Sequence, residues 1–155
     1  MSEKLLGLAL AFAHPIDPET PANALTDAQW AALAGYLVQI PLVEAEILFQ
    51  RRRQERSLYF IETGRVHIHY ENDKGAIRAA LVSAGSLFGE ASFLGNLPRQ
   101  ATAQVAAAGR AWQLSRLKFT ELYTRQPDLA LQIIQLAGTT LAQRARNARR
   151  RPAIA

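Results

Sequence analysis

The sequence predicts a mainly β fold with α: an antiparallel β-roll flanked by an N-terminal helix and by C-terminal helices. Three observations carry this reading. From Ala45 to Arg116 the apolar residues fall into short, partly alternating runs with the period of strands. On either side the spacing lengthens to that of helices. The β region is punctuated by glycines and by an Asn-Asp-Lys-Gly turn, which suits hairpins in a roll or sandwich. No internal repeat is present, so residues 1–155 read as a single domain. It comprises a helical segment (1–40), the roll (45–116), C-terminal helices (117–150) and a basic tail (144–155). With 49% hydrophobic and 20% charged residues, a domain of this size buries about 68–70% of its unfolded surface, enough for a core.

The elements are justified in order. "MSEKLLGLALAFAHP" imitates an export signal in its lysine, its apolar run from Leu5 to Ala13 and its Ala11-Phe12-Ala13 pattern. Glu3 stands in the charged segment ahead of the run, and the run is too short to span a membrane. The plainer reading is a short apolar helix laid against the domain. "LTDAQWAALAGYL" is a helix: Thr26 and Gln29 make a capping box, and Trp30, Leu33 and Leu37 share a face. "ILFQ", "LYFIE", "RVHIHYE", "AIRAALV", "ATAQVA" and "RAWQLS" read as separate short strands. Gly64, the turn Asn72-Asp73-Lys74-Gly75, Gly85 and Gly109 set them apart. "LKFTELY" returns to helical spacing, and "PDLALQIIQLAGTTLAQRARNARR" is a long helix with Pro127 suited to its first turn.

Charge and composition exclude several functions. The formal net charge is +5, and Arg144, Arg146, Arg149, Arg150 and Arg151 have no acidic residue among or after them. Residues 1–143 are therefore neutral overall, which does not support a nucleic-acid-binding face across the body. "RRRQER", Arg51–Arg56, is interrupted by Gln54 and Glu55 and reads as a solvated loop. Cysteine is absent, which accords with a cytoplasmic location and leaves no thiolate ligands. His67 and His69 share one face of a strand, but no carboxylate or cysteine pattern accompanies them and His14 is distant in sequence, so no metal is expected. In Gly85-Ser86-Leu87-Phe88-Gly89 the serine stands one place too early for a nucleophile elbow. Neither a phosphate-binding P-loop nor a zinc-protease motif occurs, so no catalytic activity is expected.

The segment "FGEASFLGNLPRQAT", Phe88–Thr102, cannot be a strand, because Gly89, Gly95 and Pro98 break it, while Ala91–Leu94 suits one helical turn. A helix start offers backbone N–H groups to an anion. Gly89 permits close approach, and Arg99 offers a fork for phosphate. Glu90 repels a phosphate but accepts from a neighbouring sugar hydroxyl. The set describes a sugar phosphate; the competing reading is a Glu90–Arg99 surface ion pair worth about 0–1 kcal/mol.

This segment resembles the phosphate-binding cassette of cyclic-nucleotide-binding domains, whose signature runs approximately F-G-E, a short apolar helix, then P-R-(small)-A-T. The likeness extends outward over residues 40 to 147, through "LYFIETGRVHIHY" and "RLKFTELYTRQPDLALQIIQLAGTTLAQRAR". The resemblance implies a double-stranded jelly roll of the catabolite-activator and protein kinase A regulatory-subunit kind. It implies that Glu90 takes the ribose 2′-hydroxyl and that Arg99, with the Ser92 backbone N–H, takes the cyclic phosphate. The implied ligand-binding set is Gly89, Glu90, Ala91, Ser92, Arg99, Gln100 and Ala101, with Thr140, Gln143 and Arg144 as candidate base contacts. Cyclic AMP is the implied ligand and cyclic GMP the alternative, without a metal.

The function implied is a regulatory domain that signals by moving its C-terminal helices, with a hinge near Arg125–Leu129 where Pro127 interrupts them. Ile134, Ala137, Leu141, Ala145 and Ala148 recur at near-heptad spacing, which would seat a homodimer on the long helix. Family regulators continue into a helix-turn-helix domain, whereas this sequence ends in "RRRPAIA". The output is expected in an effector partner, in a larger protein or in self-association, with no membrane contact. A ligand-free dimerisation module of the same fold, or a nucleic-acid accessory protein acting through the basic tail, are the alternatives. Two departures stand out. Gln100 replaces the usual small residue and is expected to crowd the phosphate; Ser86 stands where the family often has aspartate.

Overall fold

A computed structural model describes residues 3–16, 25–71 and 77–148. Helix α1 (Glu3–Ala13) is followed by α2 (Asp27–Leu33) and a 3-10 turn over Ala34–Tyr36. The Thr26 hydroxyl accepts from the Gln29 N–H, and the Gln29 side chain accepts from the Thr26 N–H, so the expected capping box starts α2. Six strands follow: β1 (Val38–Leu42), β2 (Ile47–Phe49), β3 (Leu58–Glu71), β4 (Ile77–Ser83), β5 (Leu87–Phe88) and β6 (Thr102–Leu114). Helix α3 (Glu90–Gly95) lies between β5 and β6. The chain closes with α4 (Arg116–Arg125), capped by the Ser115 hydroxyl, and α5 (Pro127–Ala148). Every strand pairing is antiparallel, in the order β1-β6-β3-β4, with β2 on β6 and β5 on β3. The fold class is therefore the one expected, an antiparallel roll with helices before and after it.

Two details differ from the sequence reading, and a third lies outside what the structure describes. The roll begins at Val38 rather than Ala45: β1 carries Pro41, which an edge strand tolerates because part of its backbone faces no partner. Gly64 and Gly109 do not end strands; β3 and β6 run through them as two long ribbons. Their pairing shifts register between Ile61 and Val66, so these glycines mark bulges. The expected turn at residues 72–75 lies outside the described residues, as does the tail from Arg149 onward, while β3 and β4 stay paired up to Glu71 and Ile77.

Alternation along β3 divides the core in two. Leu58 and Phe60 face the helices, where Leu5, Leu8 and Phe12 of α1, Trp30 and Leu33 of α2, and Phe119, Leu122, Leu129 and Ile133 of α4 and α5 pack on them. Tyr59 and Ile61 face the roll interior with Val66, Ile68, Phe88, Ala103 and Val105. The apolar run near the start is thus a helix laid on the sheet. Leu5, Leu8 and Phe12 are buried, each contributing about 1.5–3 kcal/mol, and Phe12 packs against Trp30 and Phe60 with centroids 5.4 and 5.7 Å away. Glu62, next on the helix side of β3, is buried and accepts from Trp112 Nε1–H at 2.9 Å and from Arg110. Among the described residues no helix is long and apolar enough to cross a membrane.

Candidate functional site

Between β5 and β6 the chain makes one helical turn and doubles back. Gly89 enters α3 at φ 87°, a left-handed conformation that glycine adopts without strain, and a Cβ there would lie 2.7 Å from Arg99 Nη1 and from the Ser57 carbonyl. Asn96 closes the helix at φ 52°. Pro98 then delivers Arg99 beneath the turn, where it is only 2% exposed. Its Nη1 donates to the Gly89 carbonyl (3.0 Å) and to Ser92 Oγ (2.7 Å). Its Nη2 donates to the Ser57 carbonyl (2.6 Å), and both Nη2 and Nε donate to Glu55 Oε2. The guanidinium also lies 3.9 Å from the centroid of Phe49.

Glu55 is the residue that sequence reasoning missed. The loop Arg51–Arg56 is not simply solvated: Glu55 turns inward to Arg99, and Arg56 donates to the Ser92 and Phe93 carbonyls at 2.9 and 3.3 Å. Arg52 and Arg53 remain exposed. The lone acid in an arginine run was the available signal, since a buried guanidinium needs a counter-charge. Burial works to raise the Glu55 carboxyl, but hydrogen bonds from Ser57 and Arg99 and the charge of Arg99 outweigh it and hold it below the ordinary carboxylate range.

Glu90 and Arg99 do not pair with each other. Glu90, 5% exposed, accepts from Arg144 Nη1 at 3.0 Å, and Arg144 Nη2 donates to the Leu87 carbonyl (2.6 Å) and to Ser86 Oγ (3.2 Å). Both cassette residues line one cavity of about 40 Å³. Gly89, Ala91, Ser92, Gln100, Ala101 and Arg144 line it too, with Phe49, Ile68, Tyr70 and Phe88 as its apolar wall. The Tyr70 phenol is pushed up to about 12 by burial and by Glu90, against the opposing charge of Arg144, so at neutral pH it keeps its proton.

The expected base contacts separate. Arg144 enters the cavity wall, whereas Thr140 is buried with its hydroxyl donating to the Leu136 carbonyl (2.8 Å), and neither it nor Gln143 lines the cavity. Gln100 is exposed, its amide donating to the Pro98 carbonyl at 2.8 Å, so its side chain sits at the rim rather than crowding the interior. The near-heptad stripe is also shifted. Ala137 is buried in the core, and the exposed residues at that spacing are Leu131, Ile134, Leu141 and Ala145, with Gly138 half-buried between them. His67 and His69 lie side by side on β3, ring centroids 5.7 Å apart, and among the described residues no group of three metal-ligating side chains forms.

Chemically, the site offers a buried guanidinium, the Ser92 hydroxyl and the first-turn N–H groups of α3, which have no acceptor within the helix. A carboxylate stands beside them, an acceptor for a hydroxyl. These residues fit an anionic phosphate that carries a sugar hydroxyl next to it.

A family model described as the cyclic nucleotide-binding domain matches residues 40–126, more than half of the 155-residue chain. A protein of Rhodopseudomonas palustris named as a potassium channel protein is 31% identical over 102 residues, which cover 64% of this chain and 24% of that one. The chain thus spans about a quarter of the length of this relative. Among solved structures, a cyclic nucleotide-binding domain from Methylobacillus flagellatus superposes with a TM-score of 0.74 at 22% identity, covering 90% of this chain and 76% of that one. The regulatory domain of Toxoplasma gondii PKA, crystallised with cAMP, superposes with a TM-score of 0.63 at 22% identity, covering 78% and 45%.

Proposed function

Since the chain belongs to the cyclic nucleotide-binding domain family, we propose that it is a regulatory domain for cyclic AMP, without catalysis of its own, that acts in the cytoplasm on an effector. One observation carries this: Glu90 and Arg99, buried on a single loop-helix-loop, line the same cavity yet pair elsewhere. Arg99 and Ser92 serve the cyclic phosphate and Glu90 the ribose 2′-hydroxyl. A fold relative crystallised with cAMP makes cyclic AMP the first ligand to test, with cyclic GMP beside it. Binding is transmitted through α4 and α5, which meet at Gln126, a residue outside the helical conformation (φ −140°, ψ 72°). A ligand alters them only through differential affinity for two helix arrangements.

Calorimetry with cyclic AMP, cyclic GMP and cyclic di-GMP tests the reading. Arg99→Ala is expected to weaken binding by roughly 3–5 kcal/mol, because a desolvated phosphate loses its counter-charge. Absence of both binding heat and thermal stabilisation at millimolar ligand overturns it.

A further inference from the structure

We infer that Arg144 is a latch, holding the ligand site shut from within the chain, and that a cyclic nucleotide binds by displacing it. The inference rests on the assignment of Glu90 to the ribose and names a regulation of that same site. Among the described residues Glu90 is the one carboxylate lining the cavity, and Arg144 already occupies it at 3.0 Å. The same guanidinium bonds the Leu87 carbonyl and the Ser86 hydroxyl, so it ties α5 to the segment immediately before the cassette helix. Opposite, every N–H of the Arg99 guanidinium is directed at a protein acceptor, Glu55, Ser57, Gly89 or Ser92, so a phosphate reaches Arg99 only by taking the place of one of them while the side chain stays where it is. The remaining space, about 40 Å³, holds a few waters. The arrangement must open before a nucleotide enters.

The geometry points to the side that yields. Arg99 is held by the cassette itself and by the strand entry beneath it, through both side chain and backbone: its N–H donates to the Arg53 carbonyl at 2.8 Å and its carbonyl accepts from Arg52 at 2.7 Å. Arg144 hangs from the last turns of α5, where Ala142, Ala145 and Arg146 on either side of it are exposed. Withdrawing it carries a cation into water, where charge is well solvated, and leaves Glu90 free to accept from a ribose hydroxyl. The serine at position 86 adds only a longer bond to Arg144, at 3.2 Å, so the hold rests on Glu90 and the Leu87 carbonyl. Because the pair and the ligand compete for one carboxylate, linkage makes the cost reciprocal: the latch weakens the ligand, and the ligand frees the end of α5.

Isothermal calorimetry with cyclic AMP and cyclic GMP on the full chain, as wild type, Arg144→Ala and Arg144→Lys, tests this, alongside trypsin cleavage of the wild type with and without ligand. Arg144→Ala should bind about tenfold tighter or better, and Arg144→Lys, which keeps the charge but not the fork, should fall between. Ligand should speed cleavage of the wild type after Arg144 and Arg146. Binding by Arg144→Ala alone, with none by the wild type, also supports the latch. If Arg144→Ala does not fold, Arg144→Lys decides alone, and affinity equal to or below wild type overturns the latch. Unchanged or weaker binding by a folded Arg144→Ala makes Arg144 a bystander or a ligand contact and sinks the latch, while the ligand site stands. Failure of all three proteins to bind removes the ligand reading and the latch with it.

Discussion

At residue scale the site is governed by two guanidinium groups and their choice of carboxylate. Arg99 takes Glu55 and Arg144 takes Glu90, each arginine being nearly inaccessible to water. A buried cation without its partner costs several kcal/mol, but Glu55 is 34% exposed, so solvent screens that pair in part. Glu55→Gln is expected to destabilise the fold by about 1–3 kcal/mol at neutral pH by urea unfolding. The folded-state carboxyl lies below its ordinary 4.5, so the pair's contribution is complete above that value and fades as pH falls through the lower folded one. The stability gap between wild type and Glu55→Gln should therefore be flat from pH 7 to about 5 and close beneath 4.5. A gap that persists at pH 2 would mean that Glu55 acts through packing rather than charge.

At the scale of elements, the two long ribbons depend on a close crossing at their bulges. Gly109 of β6 lies directly on the backbone of Thr63 and Gly64, and a Cβ there would overlap the Thr63 carbonyl. Relief requires the ribbons to part, and the contact between β3 and β6 is the most extensive in the fold. Gly109→Ala should cost about 3 kcal/mol, at the upper end for over-packing, because backbone cannot rotate away as a side chain can. Denaturation by urea checks this; a loss below about 0.5 kcal/mol would show that the bulge absorbs a methyl group. The sequence placed a strand break at this glycine. A glycine that ends a strand and a glycine that lets two strands touch look alike until the partner strand is known.

For the whole molecule, α5 links three roles on one helix. Leu129, Ile133 and Ala137 anchor it in the helix-side core, Arg144 reaches the cavity, and Leu131, Ile134, Leu141 and Ala145 face outward. A Cβ on Gly138 would meet nothing within 4 Å, so this stripe presents a small residue between larger ones, suited to close approach of a second helix. We propose that it seats a homodimer: light scattering should give a dimer for the wild type and a monomer for Leu141→Glu with the roll intact. A wild-type monomer at high concentration, with and without ligand, would remove the proposal. What the sequence determined by itself is what depends on near neighbours. The Thr26–Gln29 cap, the period change at the roll and the glycine-to-arginine spacing of the cassette are set within a few residues. They were legible, together with the family resemblance they carry. The tertiary structure alone decided which charges meet. Glu55 finds Arg99 across 44 residues and Arg144 finds Glu90 across 54. Ion-pair partners are chosen by burial and distance in the folded chain, and no local pattern of residues encodes them.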